Sequence, residues 1–212
     1  MAAKCQPLSH FSLLSVLAVS LLFPGVGTSV ASDREGDPVL LIVPSFERPE
    51  VCRYLPGSKR TLITPALMQH NGETRLLGAK AFKTSGEWDH FIKRARERSA
   101  LQLATLNPEM IRDSHGIIQM AVIFSESPLT ASCILSPAFL QHFSAIFGPE
   151  LLIAIPTRNK IYIFPKLANH LQQMTGTIWD DYLISPMTAS TEIFELSRNG
   201  LYAAGSLDPD DG

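Results

Sequence analysis

The stretch that decides the fold runs from residue 151 to residue 165, LLIAIPTRNKIYIFP. Two apolar runs, 151–155 and 160–164, flank Pro156, Thr157, Arg158 and Asn159. Each run is too short for a helix and rich in isoleucine, so each reads as a buried strand. The link is too short for the crossover that parallel neighbours need, so the pair is expected to be antiparallel. Asn71-Gly72 and Asn199-Gly200 are further hairpin signals, because both residue types tolerate positive φ. Residues 60–64 and 75–82 flank the first; 191–196 and 201–205 flank the second.

Helical patterns lie between these strand signals. Thr84-x-x-Glu87 fits a capping box. Trp88, Phe91, Ile92, Ala95, Ser99, Leu103 and Leu106 then follow at helical spacing, until Asn107-Pro108 ends the run. Ser136 as N-cap, Pro137 as first residue and Gly148 as stop bracket a second helix, with Phe139, Leu140, Phe143 and Phe147 on its apolar face. Pro165 is expected to open a third, carrying Leu167, Leu171 and Met174. Residues 39–43 (VLLIV), 116–124 (GIIQMAVIF) and 129–135 (LTASCIL) read as additional strands, which places Cys133 in a strand. Hairpins and helices in this order predict an α+β fold, a mostly antiparallel sheet packed with about three helices, over a doubly wound parallel one.

The N-terminus reads as a secretory signal peptide. Lys4 supplies a short positive region, residues 11–23 (FSLLSVLAVSLLF) an apolar run, and Ser29-Val30-Ala31 the small residues that a signal peptidase needs. The run is shorter than the roughly 20 residues of a membrane span. The expected organisation is therefore a signal peptide at 1–31, one α+β domain at 32–207 and a disordered tail at 208–212. Retention of the leader as an anchor is the alternative. Cleavage after Ala31 leaves 181 residues, enough for one domain with a sizeable core. No later segment is apolar enough to span a membrane, so no integral membrane segment is expected after cleavage, and the location is secreted or periplasmic.

Charge narrows the partners. The chain has 18 basic and 20 acidic residues, whereas a general nucleic-acid binder shows a strong basic excess. No nucleic acid is expected; an unknown protein or small ligand is. Cys5 leaves with the leader, and the remaining Cys52 and Cys133 invite one disulfide in an oxidising compartment. In the chain-entropy model such a bridge would stabilise the fold by about 4–5 kcal/mol. Two independent buried thiols are the alternative.

The chain has no Gly-rich phosphate loop, H-E-x-x-H, C-x-x-C or G-x-S-x-G. No cofactor or metal is implied. Asp113-Ser114-His115 has triad residue types, but adjacent side chains cannot form the nucleophile–base chain, so a polar turn is expected. His142 and His170 lack the further ligands that a metal site needs. Asp180-Asp181, with His170, forms a weak alternative site for acid–base chemistry. Lys93, Arg94, Arg96 and Arg98 give the first helix a basic face, balanced in part by Asp89 and Glu97. Arg158, with Asn159, is the candidate binding pair: a charged fork on a loop between rigid strands.

The same 151–165 stretch resembles a strand–turn–strand motif of the YtpQ-like family of uncharacterised bacterial proteins. Its pattern is an apolar run, A-I-P, a polar pair such as R-N, and a second apolar strand. Leu183-Ile184-Ser185-Pro186, then a strand and Asn199-Gly200, is similar to the family's C-terminal end. The resemblance covers about residues 129–201. It implies no established reaction and carries over no catalytic residue. The chain departs from the family in its leader, since the family's members look cytoplasmic. The expectation is a non-catalytic binding or interaction module of the bacterial cell envelope. The alternative is a cell-envelope hydrolase built from Arg158, Asp180 or Asp181, and a histidine.

Overall fold

Strands β7 (Leu151–Thr157) and β8 (Lys160–Pro165) sit at the centre of a six-stranded antiparallel sheet, as the isoleucine-rich stretch dictates. The computed structural model describes residues 36–167 and 170–208. The expected signal peptide at 1–31 lies outside them, as do residues 209–212 of the expected tail. Around the central pair come β5 (Glu109–Arg112), β6 (Ile118–Phe124), β9 (Glu192–Ser197) and β10 (Gly200–Ser206), in the order β10-β9-β7-β8-β6-β5. A second antiparallel sheet holds β1 (Asp37–Pro44), β2 (Arg53–Tyr54), β3 (Thr61–Met68) and β4 (Thr74–Leu76); β3 pairs with each of the others. Three helices, α1 (Ser85–Leu103), α2 (Phe139–Phe147) and α3 (His170–Ile184), complete the α+β fold.

Strand alternation splits the six-stranded sheet into two faces. Leu151, Ile153, Ile161, Ile163 and Phe194 enter the main core with Phe139, Phe143 and Phe147 of α2. Ala154, Tyr162, Phe164 and Ile193 point the other way, against Leu171, Met174 and Ile178 of α3. Ile42 and Ile63 of the smaller sheet join the main core, while Leu40 and Leu67 pack on Phe91 and Ala95 of α1. Pro156 sits where the β7–β8 register shifts, the place in a strand where a missing N–H is tolerated. The capping box is formed: Thr84 Oγ1 accepts from Glu87 N at 3.3 Å, and Glu87 Oε2 accepts from Lys83 N at 2.7 Å.

Three expectations are overturned. Pro165 does not open the third helix: it ends β8, and Leu167 lies in a turn, 97% exposed, ahead of the described helix His170–Ile184. Residues 129–135 do not form a strand: Ala131–Leu135 is a 3-10 helix. Its approach is set by local hydroxyl bonds, from Ser127 N to Ser125 Oγ, from Leu129 N to Ser127 Oγ and from Thr130 Oγ1 to Ser127 O. Such bonds offer the backbone an alternative to a ladder. The Cys52–Cys133 bridge is not formed either. Cys133 is a free, buried thiol in the main core, its Sγ 3.8 Å from Leu129 O. Cys52 packs with Val39, Leu41 and Val43, on the face of β1 opposite Ile42. The two side chains belong to different apolar clusters.

Candidate functional site

Each expected site residue has a definite place. Arg158 and Asn159 form the two-residue turn between β7 and β8, but the turn is a junction rather than a protruding tip. Arg158 N donates to Met187 O and its carbonyl accepts from Ala131 N, both at 2.8 Å. Its guanidinium pairs with Glu47, leaving the side chain 20% exposed. Asn159 Oδ1 accepts from Thr157 Oγ1 at 2.7 Å, and its carbonyl from Ser125 N at 3.1 Å. The fork that looked available is committed to holding loops together.

Asp181 is half-buried and accepts from Lys160 Nζ at 2.7 Å and Tyr162 Oη at 2.5 Å. Burial works against the Lys160 ammonium, yet its bonds to Asp181 and Tyr162 hold its pKa above the ordinary value. Burial, then the Asp181 bond, pushes the Tyr162 phenol up. Asp180 is exposed, and His170 opens α3 eleven residues before Asp181, about 16 Å along the axis at 1.5 Å per residue. Asp113 closes a polar turn: its carboxylate accepts from His115 N and Ile117 N, both at 2.9 Å. Burial pushes the Cys133 thiol up to about 12, the opposite of an activated nucleophile. Among the described residues no group of three or more His, Cys, Asp and Glu side chains is placed to hold a metal ion. No described helix is long and apolar enough to cross a membrane.

A cleft suited to a ligand lies elsewhere among the described residues. A space of about 600 Å³ opens between α1, the turn into α2 and the β9–β10 hairpin. Leu55, Ile134, Leu140 and Leu201 give it apolar walls, and Arg96 and Arg198 stand on its two sides. Both arginines are exposed, and neither has an ion-pair partner among the described residues. The sequence explains each wall. Arg96 falls on the solvent face of α1 because Phe91, Ala95 and Ser99 take the buried one. Arg198 is lifted by the tight turn at Gly200, whose φ of +114° suits glycine. The floor is pinned where Ala203 N donates to Pro56 O at 2.9 Å. Gly57, at φ +73°, lies so close that an added Cβ would meet Ala203 O at 3.2 Å.

A second groove of about 510 Å³ shares Arg96 and Pro137 with the first and adds Arg53, Lys93, Asp89 and Glu97. Arg53 lies over the Trp88 ring, 5.4 Å from its centroid, which fixes one cation in place. The larger cleft offers hydroxyls from Ser136, Ser197 and Tyr202, but its lining holds no histidine, cysteine or carboxylate to serve as a base. The arrangement suits binding of an acidic group beside apolar surface and has no nucleophile–base pair.

The sequence showed the basic face of α1 and the Asn199-Gly200 turn, but nothing local says that they meet. Glu192 was missed altogether. It is 5% exposed and accepts from Ser58 Oγ (2.5 Å), Thr61 Oγ1 (2.6 Å) and Lys59 N (2.7 Å). Burial would raise its pKa, but the bonds from Ser58, Thr61 and the Lys59 and Arg60 amides outweigh it and hold the carboxyl below its ordinary value. No protein-family model, curated protein or solved structure matches the chain.

Proposed function

We propose that the chain is a non-catalytic binding module that takes a ligand with acidic and apolar groups into the cleft between α1 and the β9–β10 hairpin. The observation that carries this reading is the pair Arg96 and Arg198, two cations without ion-pair partners among the described residues, facing a space walled by leucine and isoleucine. Guanidinium groups bind carboxylates through paired hydrogen bonds, and the aliphatic walls add area without directional demands. The hydrolase alternative has less support. Arg158 serves Glu47, and Asp181 serves Lys160 and Tyr162. These groups do not form one hydrogen-bonded set.

The setting we infer is the bacterial cell envelope, with the mature chain secreted or periplasmic. It rests on Lys4, the apolar run at 11–23 and the small residues up to Ala31. The YtpQ-like resemblance stands beside this as a proposal about ancestry and supplies no reaction.

The test is fluorescence anisotropy with a labelled peptide of alternating glutamate and leucine. Arg96→Ala with Arg198→Ala should weaken binding about tenfold or more, since about 1.4 kcal/mol is a factor of ten. The thermal midpoint should stay unchanged, because both side chains are exposed. Equal affinity of wild type and double variant refutes the reading.

A further inference from the structure

The larger sheet borders the cleft with the outer edge of β10. Ala203 N points away from β9, since it donates to Pro56 O at 2.9 Å. Residues two apart in an antiparallel strand turn their N–H and C=O to the same side. The β9–β10 register is unbroken from Leu201 to Ala203, so Leu201 also presents both groups outward. Leu201 lines the cleft. Among the described residues β9 is the only strand paired with β10, and no backbone bond from outside that ladder reaches Leu201. Pro56 cannot carry the ladder past Ala203, because it has no N–H. The chain before it leaves for β3, with Leu55 N donating to Thr61 O at 3.1 Å. The opposite edge strand, β5, has a charge at each end, Glu109 and Arg112, a common guard against edge pairing. Residues 200–203 (GLYA) hold neither a charge nor a proline.

We propose that this edge takes an extended acidic segment of a partner protein as a short added strand, hydrogen-bonded through its backbone to Leu201. The proposal rests on the cleft being the binding site, and it names the class of ligand. The outward N–H and C=O of Leu201 form a donor–acceptor pair that a second peptide backbone matches and an alkyl chain does not. Arg96 and Arg198 stand beside that pair, and the described lining holds no carboxylate, so the charge at this edge favours an acidic segment. An added strand sends successive side chains to opposite sides. Alternating acidic and apolar residues can therefore meet the arginines with one set and Leu55, Ile134 and Leu140 with the other. A simple apolar carboxylic acid would leave the Leu201 pair unused.

The test follows amide hydrogen exchange by NMR in the full chain, with an acetylated peptide of alternating glutamate and leucine as the probe. Leu201 N–H should exchange fast in the free chain and about tenfold or more slowly with saturating peptide, while Ala203 N–H, already bonded to Pro56 O, stays slow in both. Methylating the peptide amides one at a time should weaken binding about fivefold or more at the position that faces Leu201, through the loss of one hydrogen bond. Decanoate should leave Leu201 exchange unchanged. Slow exchange at Leu201 before peptide is added, a flat methylation series, or equal protection by decanoate overturns the proposal. Peptide binding that depends on Arg96 and Arg198 without protecting Leu201 overturns the added strand alone and leaves the acidic-ligand reading standing. No binding, or binding indifferent to both arginines, removes that reading and the proposal with it.

Discussion

Replacing Glu192 tests how the two sheets are joined. Its carboxylate lies at the start of β9 and binds the segment that opens β3: Ser58 Oγ at 2.5 Å, Thr61 Oγ1 at 2.6 Å, Lys59 N at 2.7 Å and Arg60 N at 3.4 Å. Hydrogen bonds to a charged group contribute about 1.5–3 kcal/mol each. The longest bond counts for little, and water can reach the exposed Lys59 amide once the side chain is cut back. Glu192→Ala should therefore cost about 3–4 kcal/mol. For a domain of this size that lowers the thermal midpoint by about 6–16 °C, at about 2–4 °C per kcal/mol. Glu192→Gln keeps the shape but presents an NH2 to donors, and should cost about 2–3 kcal/mol. The pH dependence gives the sharper check. The folded pKa lies below the unfolded value of 4.5. The contribution is thus fully present above pH 4.5 and disappears as the pH falls through the lower folded value. Urea unfolding followed by tryptophan fluorescence, at pH 7 and then stepwise below 4.5, should show the gap between wild type and Glu192→Gln narrowing as acid is added. A cost for Glu192→Ala under about 1 kcal/mol, or a gap that does not change with pH, refutes this account.

Other substitutions probe the remaining junctions. Arg158→Ala should cost about 1 kcal/mol by chemical denaturation, because its pair with Glu47 is partly buried; a double-mutant cycle with Glu47→Gln that shows no coupling would remove the pair from the account. Cys133 should ignore a thiol reagent in the native protein at pH 8, where a thiol of pKa about 12 is almost wholly protonated, and react fully in urea; fast native labelling would contradict its burial. Phe143→Ala should cost about 3–5 kcal/mol, whereas Ile146→Ala, on the open side of the same helix, should stay within about 0.5 kcal/mol of wild type. Similar losses at both would mean that α2 is seated differently.

What the sequence made legible was local. The β7–β8 pair, the cap at Thr84 and the Gly148 stop each follow from residues a few positions apart, and each is present. Residues 129–135 misled because a short apolar run fits a strand or a helical turn equally well. Ser125, Ser127 and Thr130 decided the matter through side-chain bonds to nearby backbone. The Cys52–Cys133 pairing failed for a related reason: an even count of cysteines says nothing about which face of a sheet each one occupies. The cleft was invisible because its two arginines lie 102 positions apart. Arg158 looked exposed from its turn and proved committed, since its partner Glu47 comes from the other end of the chain.

The strand order of the larger sheet has a consequence for how the chain acquires it. Read as β10-β9, β7-β8 and β6-β5, the sheet is three hairpins laid edge to edge, each closed by a short turn. Closing each hairpin asks little entropy of the chain, while the seams between them, β6 to β8 and β7 to β9, bring together strands with both a helix and a whole strand between them in sequence. The slow events of folding are then the two seams. The middle hairpin belongs to both, so damage to its outward-facing edges should retard assembly on two sides at once, whereas damage to β10 mainly hastens release.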